Sequence, residues 1–316
     1  MDNEHSSNAG AAGTSRRGLL KCLAWAGTGI VWTVASGVPK GFGLGHGSEA
    51  SAAATDGFTF VQISDSHIGF KGEANPDPGA TLKQALDRIA TLPKRPAMML
   101  HTGDVTHLSK PAQFDTAGQI LKAARLDIHF IPGEHDVIGD DGKEFAERFG
   151  EKGAAPGGWY SFDQGGVHFV ALINVLGFKP ATGGTLGAAQ IEWLEKDLEG
   201  RSASTPIVVM AHVPLWPIYP QWGWTTDDAA QALGYMKRFG SVTVLNGHIH
   251  QVVQKVEGDV SFRTAMSTAF PQPAAGHGPG PGPMKVPADR LKSVLGVRRI
   301  DYLPTIGVAA TDLTLA

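Results

Sequence analysis

From Phe58 onward, short apolar runs alternate with stretches in which apolar residues recur every three or four positions. Phe58–Ile63 (FTFVQI) predicts a strand, Ala80–Leu92 (ATLKQALDRIATL) a helix and Ala97–His101 a second strand. Ala112–Arg125 predicts another helix and Asp127–Ile131 a third strand. Trp159–Phe162 and Val167–Ile173 form a hairpin pattern across Asp163-Gln164-Gly165-Gly166. Ala188–Leu198 places Ile191, Leu194 and Leu198 on one helical face. Pro206–Ala211 and Val242–Leu245 are continuous apolar runs, as expected of strands buried on both faces. Val252–Val256 and Val260–Arg263 form a second hairpin pattern, and Pro271–Pro287, rich in Pro and Gly, reads as an irregular surface loop. Strand–helix alternation early and strand pairs late predict an α/β fold of two packed mixed β-sheets flanked by helices.

The first fifty residues follow another logic. Ser15-Arg16-Arg17-Gly18-Leu19-Leu20-Lys21 precedes eighteen uncharged residues, Cys22 to Pro39, and the small-residue stretch Ser48–Ala54 comes after. A basic region, an apolar region and a small-residue region make an export signal, and SRRGLLK resembles the twin-arginine type. A membrane anchor is the competing reading, but Gly27, Thr28, Gly29, Thr33, Ser36 and Gly37 make the segment weakly hydrophobic. Residues 1–54 are therefore expected to be a twin-arginine signal peptide with linker, and 55–316 the working domain. The twin-arginine translocase becomes an expected partner during export, with a periplasmic or secreted destination.

Composition narrows the chemistry. The chain has 316 residues, 42% of them hydrophobic and 18% charged, with a net charge of −3. That balance makes no electrostatic case for nucleic-acid binding, which needs a basic stripe, and leaves room for a local basic pocket. Cys22 is the only cysteine, so an intramolecular disulfide or a thiolate zinc site is excluded. Any metal must be held by His, Asp, Glu or Asn.

Five apolar strands run directly into such residues. Ser64-Asp65-Ser66-His67 follows the first, Gly103-Asp104-Val105-Thr106-His107 the second, and Gly133-Glu134-His135-Asp136 the third. Ala211-His212-Val213-Pro214 and Gly247-His248-Ile249-His250 follow two later strands. The carboxyl ends of strands are where α/β sheets bind ligands, so five clusters there can converge on one point. Asp65 with His67 and His248 with His250 are i, i+2 pairs, which point to one side if the segment is extended. About seven imidazole and carboxylate ligands are too many for one tetrahedral ion and suit two.

In this order, DSH, GDVTH, GEHD, AHVP and GHIH resemble the motifs of the calcineurin-like metallophosphoesterase family, over about Phe58 to His250. The resemblance implies an αββα sandwich and a dinuclear-metal-dependent hydrolase of phosphomonoesters or phosphodiesters, with a small-molecule phosphoester substrate. By position it implies that Asp65, His67 and His250 hold one metal, that Glu134, His212 and His248 hold the other, and that Asp104 bridges them. The metals expected are Fe, Mn or Zn. A metal-bridging hydroxide would attack phosphorus in line, His135 would contact the phosphate or protonate the leaving oxygen, and Asp136 would orient His135.

One position departs from the family. Where asparagine is usual, this chain has Glu134, which adds a full negative charge and a second ligand oxygen. Metal binding should tighten, and the bound water should become less acidic. The alternative function follows from that change: an exported metal-binding or interaction protein whose site is detuned by Glu134. Taken singly, Asp65 and Asp104 also read as helix caps. His101 and His107 stand between a supporting role at the site and a purely structural one, His129 reads as structural, and His277 sits in the Pro/Gly loop. Trp216, Tyr219, Trp222 and Trp224 either pack their loop or cover a substrate.

Overall fold

The computed structural model describes residues 30–35, 38–43, 57–304 and 306–316. It separates into two units, Met1–Thr55 and Asp56–Ala316. In the first, Ile30–Ala35 (β1) and Val38–Gly43 (β2) pair antiparallel, with Ile30 opposite Gly43. The paired arginines and the small-residue stretch of the expected export signal lie outside the described residues. Among the described residues no helix is long and apolar enough to cross a membrane.

The second unit holds two sheets. Phe58–Ile63 (β3), Met98–His101 (β4) and Asp127–Phe130 (β5) are parallel, and Gly296–Leu303 (β12) and Gly307–Thr314 (β13) extend them antiparallel, in the order β13-β12-β3-β4-β5. The other sheet comprises Tyr160–Gln164 (β6), Val167–Ala171 (β7), Ile207–Met210 (β8), Val242–Asn246 (β9), Gln254–Glu257 (β10) and Val260–Thr264 (β11). Its order is β10-β11-β9-β8-β7-β6, with β7, β8, β9 and β11 parallel. Both expected hairpins are present, β6 with β7 and β10 with β11.

Strand alternation explains the continuous apolar runs. On β8, Val208 and Met210 enter the layer between the sheets with Phe60, Leu100 and Phe169, while Ile207 and Val209 face the helix-covered layer with Leu194 and Leu198. On β3, Phe60 faces inward while Val61 and Ile63 meet Leu82, Ala85 and Phe114. On β8 each residue is thus buried whichever way it points, worth about 1.5–3 kcal/mol for a large apolar side chain. The helices bring matching stripes. Pro78–Ala90 (α1) starts on Pro78, is capped by the Asp77 carboxylate accepting from the Ala80 amide at 3.0 Å, and buries Leu82, Ala85, Leu86 and Ile89. Pro111–Leu121 (α2) buries Phe114, Ala117 and Leu121. Ala188–Leu198 (α4), which follows the short Lys143–Phe149 (α3), buries Ile191, Leu194 and Leu198. Neither Asp65 nor Asp104 caps a helix, because the helices after them begin at Pro78 and Pro111.

Near the carboxyl ends of the strands the inter-sheet layer turns polar. Gln62 donates to Thr102 Oγ1 at 3.0 Å and to the Asn246 carbonyl at 3.2 Å, tying the two sheets together. The buried Arg298 bonds Gln62, the Thr264 carbonyl and Asp312 beneath it. This floor carries the five loops.

Candidate metal centre

The first two loops are zipped together. The amides of Asp65, His67 and Ile68 donate to the carbonyls of Gly103, Asp104 and Val105 at 2.9–3.0 Å, and the His107 amide returns to the Ile68 carbonyl at 3.1 Å. The parallel ladder of β3 and β4 therefore continues, distorted, through both loops. The distortion is left-handed: φ is 54° at Asp65, 42° at His67, 53° at Asp104, 69° at His248 and 55° at His250. The extended i, i+2 geometry expected from the sequence is thus corrected. Both pairs still converge, because alternate residues in the left-handed region curl the chain around one point. Non-glycine residues hold that region only where surrounding bonds enforce it.

Two ligand groups result. Asp65, His67 and His250 lie together, as do Glu134, His212 and His248. Asp104 stands between them, with Oδ2 3.4 Å from His67 Nε2 and 3.5 Å from His212 Nε2. Glu134 places Oε2 2.9 Å from His212 Nε2 and Oε1 2.9 Å from His248 Nδ1. Asp65 Oδ1 is 3.3 Å from His250 Nε2, and the Nε2 atoms of His67 and His250 are 3.2 Å apart. Two donors each about 2.1 Å from one ion stand about 3.0–3.4 Å apart at octahedral to tetrahedral angles. The separations around His250 fall within that spacing, and the two Glu134 contacts lie just below it.

The hydrogen-bond inventory agrees. His212 Nδ1 donates to the Thr102 carbonyl and His250 Nδ1 to the Phe270 carbonyl, each at 2.6 Å, which leaves the Nε2 lone pairs facing the site. Asp65 Oδ2, Glu134 Oε2, His212 Nε2 and both ring nitrogens of His248 are buried with no hydrogen-bond partner. Buried polar atoms are normally paired, so this concentration marks a place for cations. Charge makes the same demand. Asp65, Asp104 and Asp136 are buried and Glu134 is 19% exposed, yet among the described residues no Lys or Arg lies within ion-pair distance of any of them. Uncompensated buried charge is strongly destabilising. The donor set therefore fits a pair of divalent ions.

The histidines and carboxylates of the cluster shift one another's protonation. Burial alone would raise Glu134, but His248 and His212 outweigh it and hold its carboxyl well below the ordinary value. Burial would lower His212, but Asp104 and Glu134 raise it well above the usual imidazole value. Burial, with the neighbouring imidazoles of His135, His250 and His107, keeps His67 well below it.

His135 is half-buried beside His67, with ring centroids 4.8 Å apart. Its amide donates to Asp104 Oδ1 at 2.9 Å and its Nδ1 to the His107 carbonyl at 2.7 Å. Burial lowers its pKa, but Asp104 and Glu134 raise it overall. The expected role of Asp136 is corrected. Its carboxylate does not bond His135; it accepts from the amides of Val105, Thr106 and Gly133 and from the Thr106 hydroxyl at 2.8–3.1 Å. Asp136 locks the Glu134 loop to the Asp104 loop. Burial and nearby Asp104 push its pKa up to about 7, against the pull of those donors.

The remaining histidines separate clearly. His101 is buried beside Ser66, 2.9 Å from its Oγ, with its pKa pushed down to about 3 by burial. His129 stacks on Phe162 at 3.9 Å, and His277 is exposed and belongs to no ligand group. Trp216 and Trp224 are buried as packing residues, while Tyr219 and Trp222 are partly buried against each other at 5.2 Å. Phe270 was not foreseen. It stacks on His67 at 4.7 Å and lies tilted against His250 at 4.9 Å, and its carbonyl orients His250. The signal for it was a sixth strand end, where β11 runs into Ser267-Thr268-Ala269-Phe270.

Residues 58–252 match the family model described as calcineurin-like phosphoesterase. The chain belongs to the calcineurin-like phosphoesterase family, hydrolases of phosphoester bonds. It is 21% identical over 221 residues to a 3′,5′-cyclic-nucleotide phosphodiesterase from Nostoc, covering 67% of this chain and 79% of that one. It is 27% identical over 157 residues to purple acid phosphatase 15 of Arabidopsis thaliana, covering 46% of this chain and only 28% of that protein. A dimetal phosphatase from Danio rerio has the same fold, with a TM-score of 0.56, 14% identity and coverage of 82% of this chain and 99% of that chain. For this calcineurin-like phosphoesterase, the family implies a dinuclear metal centre, and the two ligand groups joined by Asp104 provide a place for one.

Proposed function

We propose that the chain hydrolyses small-molecule phosphoesters at two metal ions. Asp65, His67 and His250 hold one ion, Glu134, His212 and His248 the other, and Asp104 contacts both. The observation that carries this is the convergence of carboxylate oxygens and imidazole nitrogens at 2.9–3.5 Å in both groups, around buried atoms without other partners. Bound metals supply Lewis acidity, acidifying a water toward a pKa of ~7 and withdrawing charge from the phosphoryl oxygens. The protein contributes orientation. Thr102 and Phe270 carbonyls hold two imidazoles in the tautomer that presents Nε2. His135, with Nδ1 committed to the His107 carbonyl, has Nε2 free to bind a phosphate oxygen or hand a proton to the leaving oxygen. Phosphodiesterases and phosphatases both occur among the relatives, and both ester classes enter the test. Residues 1–54 are proposed to route the folded chain through the twin-arginine pathway, a reading supported by Arg16-Arg17 ahead of the apolar stretch.

Metal analysis of protein purified without added metal, followed by a panel of phosphomonoesters and diesters, tests the reading. Two metals per chain are expected, with hydrolysis that disappears in His135→Ala and Asp104→Ala. Full metallation with no hydrolysis across the panel would instead support the exported binding protein. Cell fractionation of an Arg16→Lys/Arg17→Lys variant tests the export route, with retention inside the cell expected.

A further inference from the structure

We infer that His107 is a positioning residue that fixes the ring of His67 toward the metal pair; this rests on the two-metal reading above. Two of the metal-facing imidazoles, His212 and His250, are set by backbone carbonyls. His67 has no carbonyl partner. Its Nδ1 lies 3.3 Å from Nδ1 of His107. For Nε2 of His67 to offer a lone pair, Nδ1 must carry the proton and donate it. His107 Nδ1 must then be the acceptor, with its own proton on Nε2.

The backbone holds His107 where this is required. Its amide donates to the Ile68 carbonyl at 3.1 Å, one residue beyond His67. Its ring stacks on His135 at 4.9 Å and 16° and meets the edge of Phe70 at 5.1 Å. Its carbonyl accepts a hydrogen bond from Nδ1–H of His135. One residue therefore sets the ring of a ligand through its side chain and the ring of His135 through its backbone.

A third metal is the competing use of this cluster, since His67, His107 and His135 bring ring nitrogens within 4.8 Å of one another. That ion would take Nδ1 of His67 while Nε2 serves the pair, which requires His67 to lose both ring protons. The donor–acceptor arrangement needs no imidazolate and leaves His135 free.

The test uses two substitutions in the full chain. His107→Phe keeps a stacking ring and the backbone carbonyl but removes the acceptor. His107→Asn keeps an acceptor oxygen at the position of Nδ1. Metal content and chelator competition are read on both, with thermal unfolding of the metal-free proteins as the folding control. In His107→Phe, affinity for one of the two ions is expected to fall about 10–100-fold while the other is unchanged. His107→Asn should stay within a few-fold of the native protein. Equal affinity for both ions in His107→Phe, an Asn variant as weak as Phe, or a third metal lost in both variants would overturn the assignment of His107 alone. A native protein that holds fewer than two ions at saturating metal overturns the two-metal reading together with it.

Discussion

Oε1 of Glu134 lies 2.9 Å from Nδ1 of His248 in a geometry that makes no hydrogen bond. The other carboxylate oxygen stands at the same distance from His212. A side chain that meets two lone-pair donors in this way is shaped for an ion between them. Glu134→Asn keeps one oxygen and removes one negative charge. Affinity for the second metal should fall about tenfold or more, and the acid limb of the pH–rate profile should move to lower pH as the water becomes more acidic. Unchanged metal content with an unchanged profile would remove Glu134 from the ligand set.

Gly133 is required by the same packing. A Cβ there would collide with Oδ1 and the amide of Asp104, which bridges the two ligand groups. Gly133→Ala should cost about 1–3 kcal/mol and displace the bridging carboxylate, lowering turnover about 100-fold. Gly234, in the helix Ala229–Met236, faces open space at that position, so Gly234→Ala should be neutral or stabilising by up to about 1 kcal/mol. Urea unfolding and initial rates on the two variants check the pair. Similar losses in both would mean that the clash at Gly133 is relieved by movement.

The clustering of the seven proposed ligands was legible because each follows an apolar run whose end the sequence marks sharply. The backbone of the ligands was not. The left-handed turns at Asp65 and Asp104 are enforced by bonds between loops about forty residues apart, which no local pattern encodes. The bonding of Asp136 was hidden for the same reason: adjacency to His135 suggested a partner, while three of its four hydrogen bonds come from Val105 and Thr106, thirty residues earlier. Lys143–Phe149 and Ala229–Met236 are too short for their periodicity to stand out. β12 and β13 complete a sheet begun by β3, a pairing visible only in three dimensions.

His135 and Asp136 should therefore fail differently. His135→Ala is expected to keep both metals and most of its stability, while turnover falls about 10²–10⁴-fold. Asp136→Ala strips the acceptor from three amides and a hydroxyl, which should cost about 1–3 kcal/mol for each donor left unpaired and weaken metal retention. Melting curves with metal analysis separate them. An Asp136→Ala protein as stable as the native chain but as slow as His135→Ala would restore the catalytic-pair reading.

Away from the site, His168 is buried between two carboxylates, with Nε2 2.7 Å from Asp197 and Nδ1 2.9 Å from Asp163. Ser161 also donates to Asp197 at 2.6 Å, joining β6, β7 and α4. Burial would raise Asp197, but the bonds from His168 and Ser161 hold its pKa below the ordinary value. A depressed carboxyl stabilises the fold above its unfolded pKa of about 3.9 and loses that contribution as pH falls through the folded value. Asp197→Asn should thus cost about 1.5–3 kcal/mol at pH 7. The gap from the native protein should hold down to about pH 4 and narrow below it. Unfolding titrations at several pH values measure that gap. Narrowing that is complete between pH 7 and 5 would show that another group, and not the Asp197 carboxylate, carries the pH dependence.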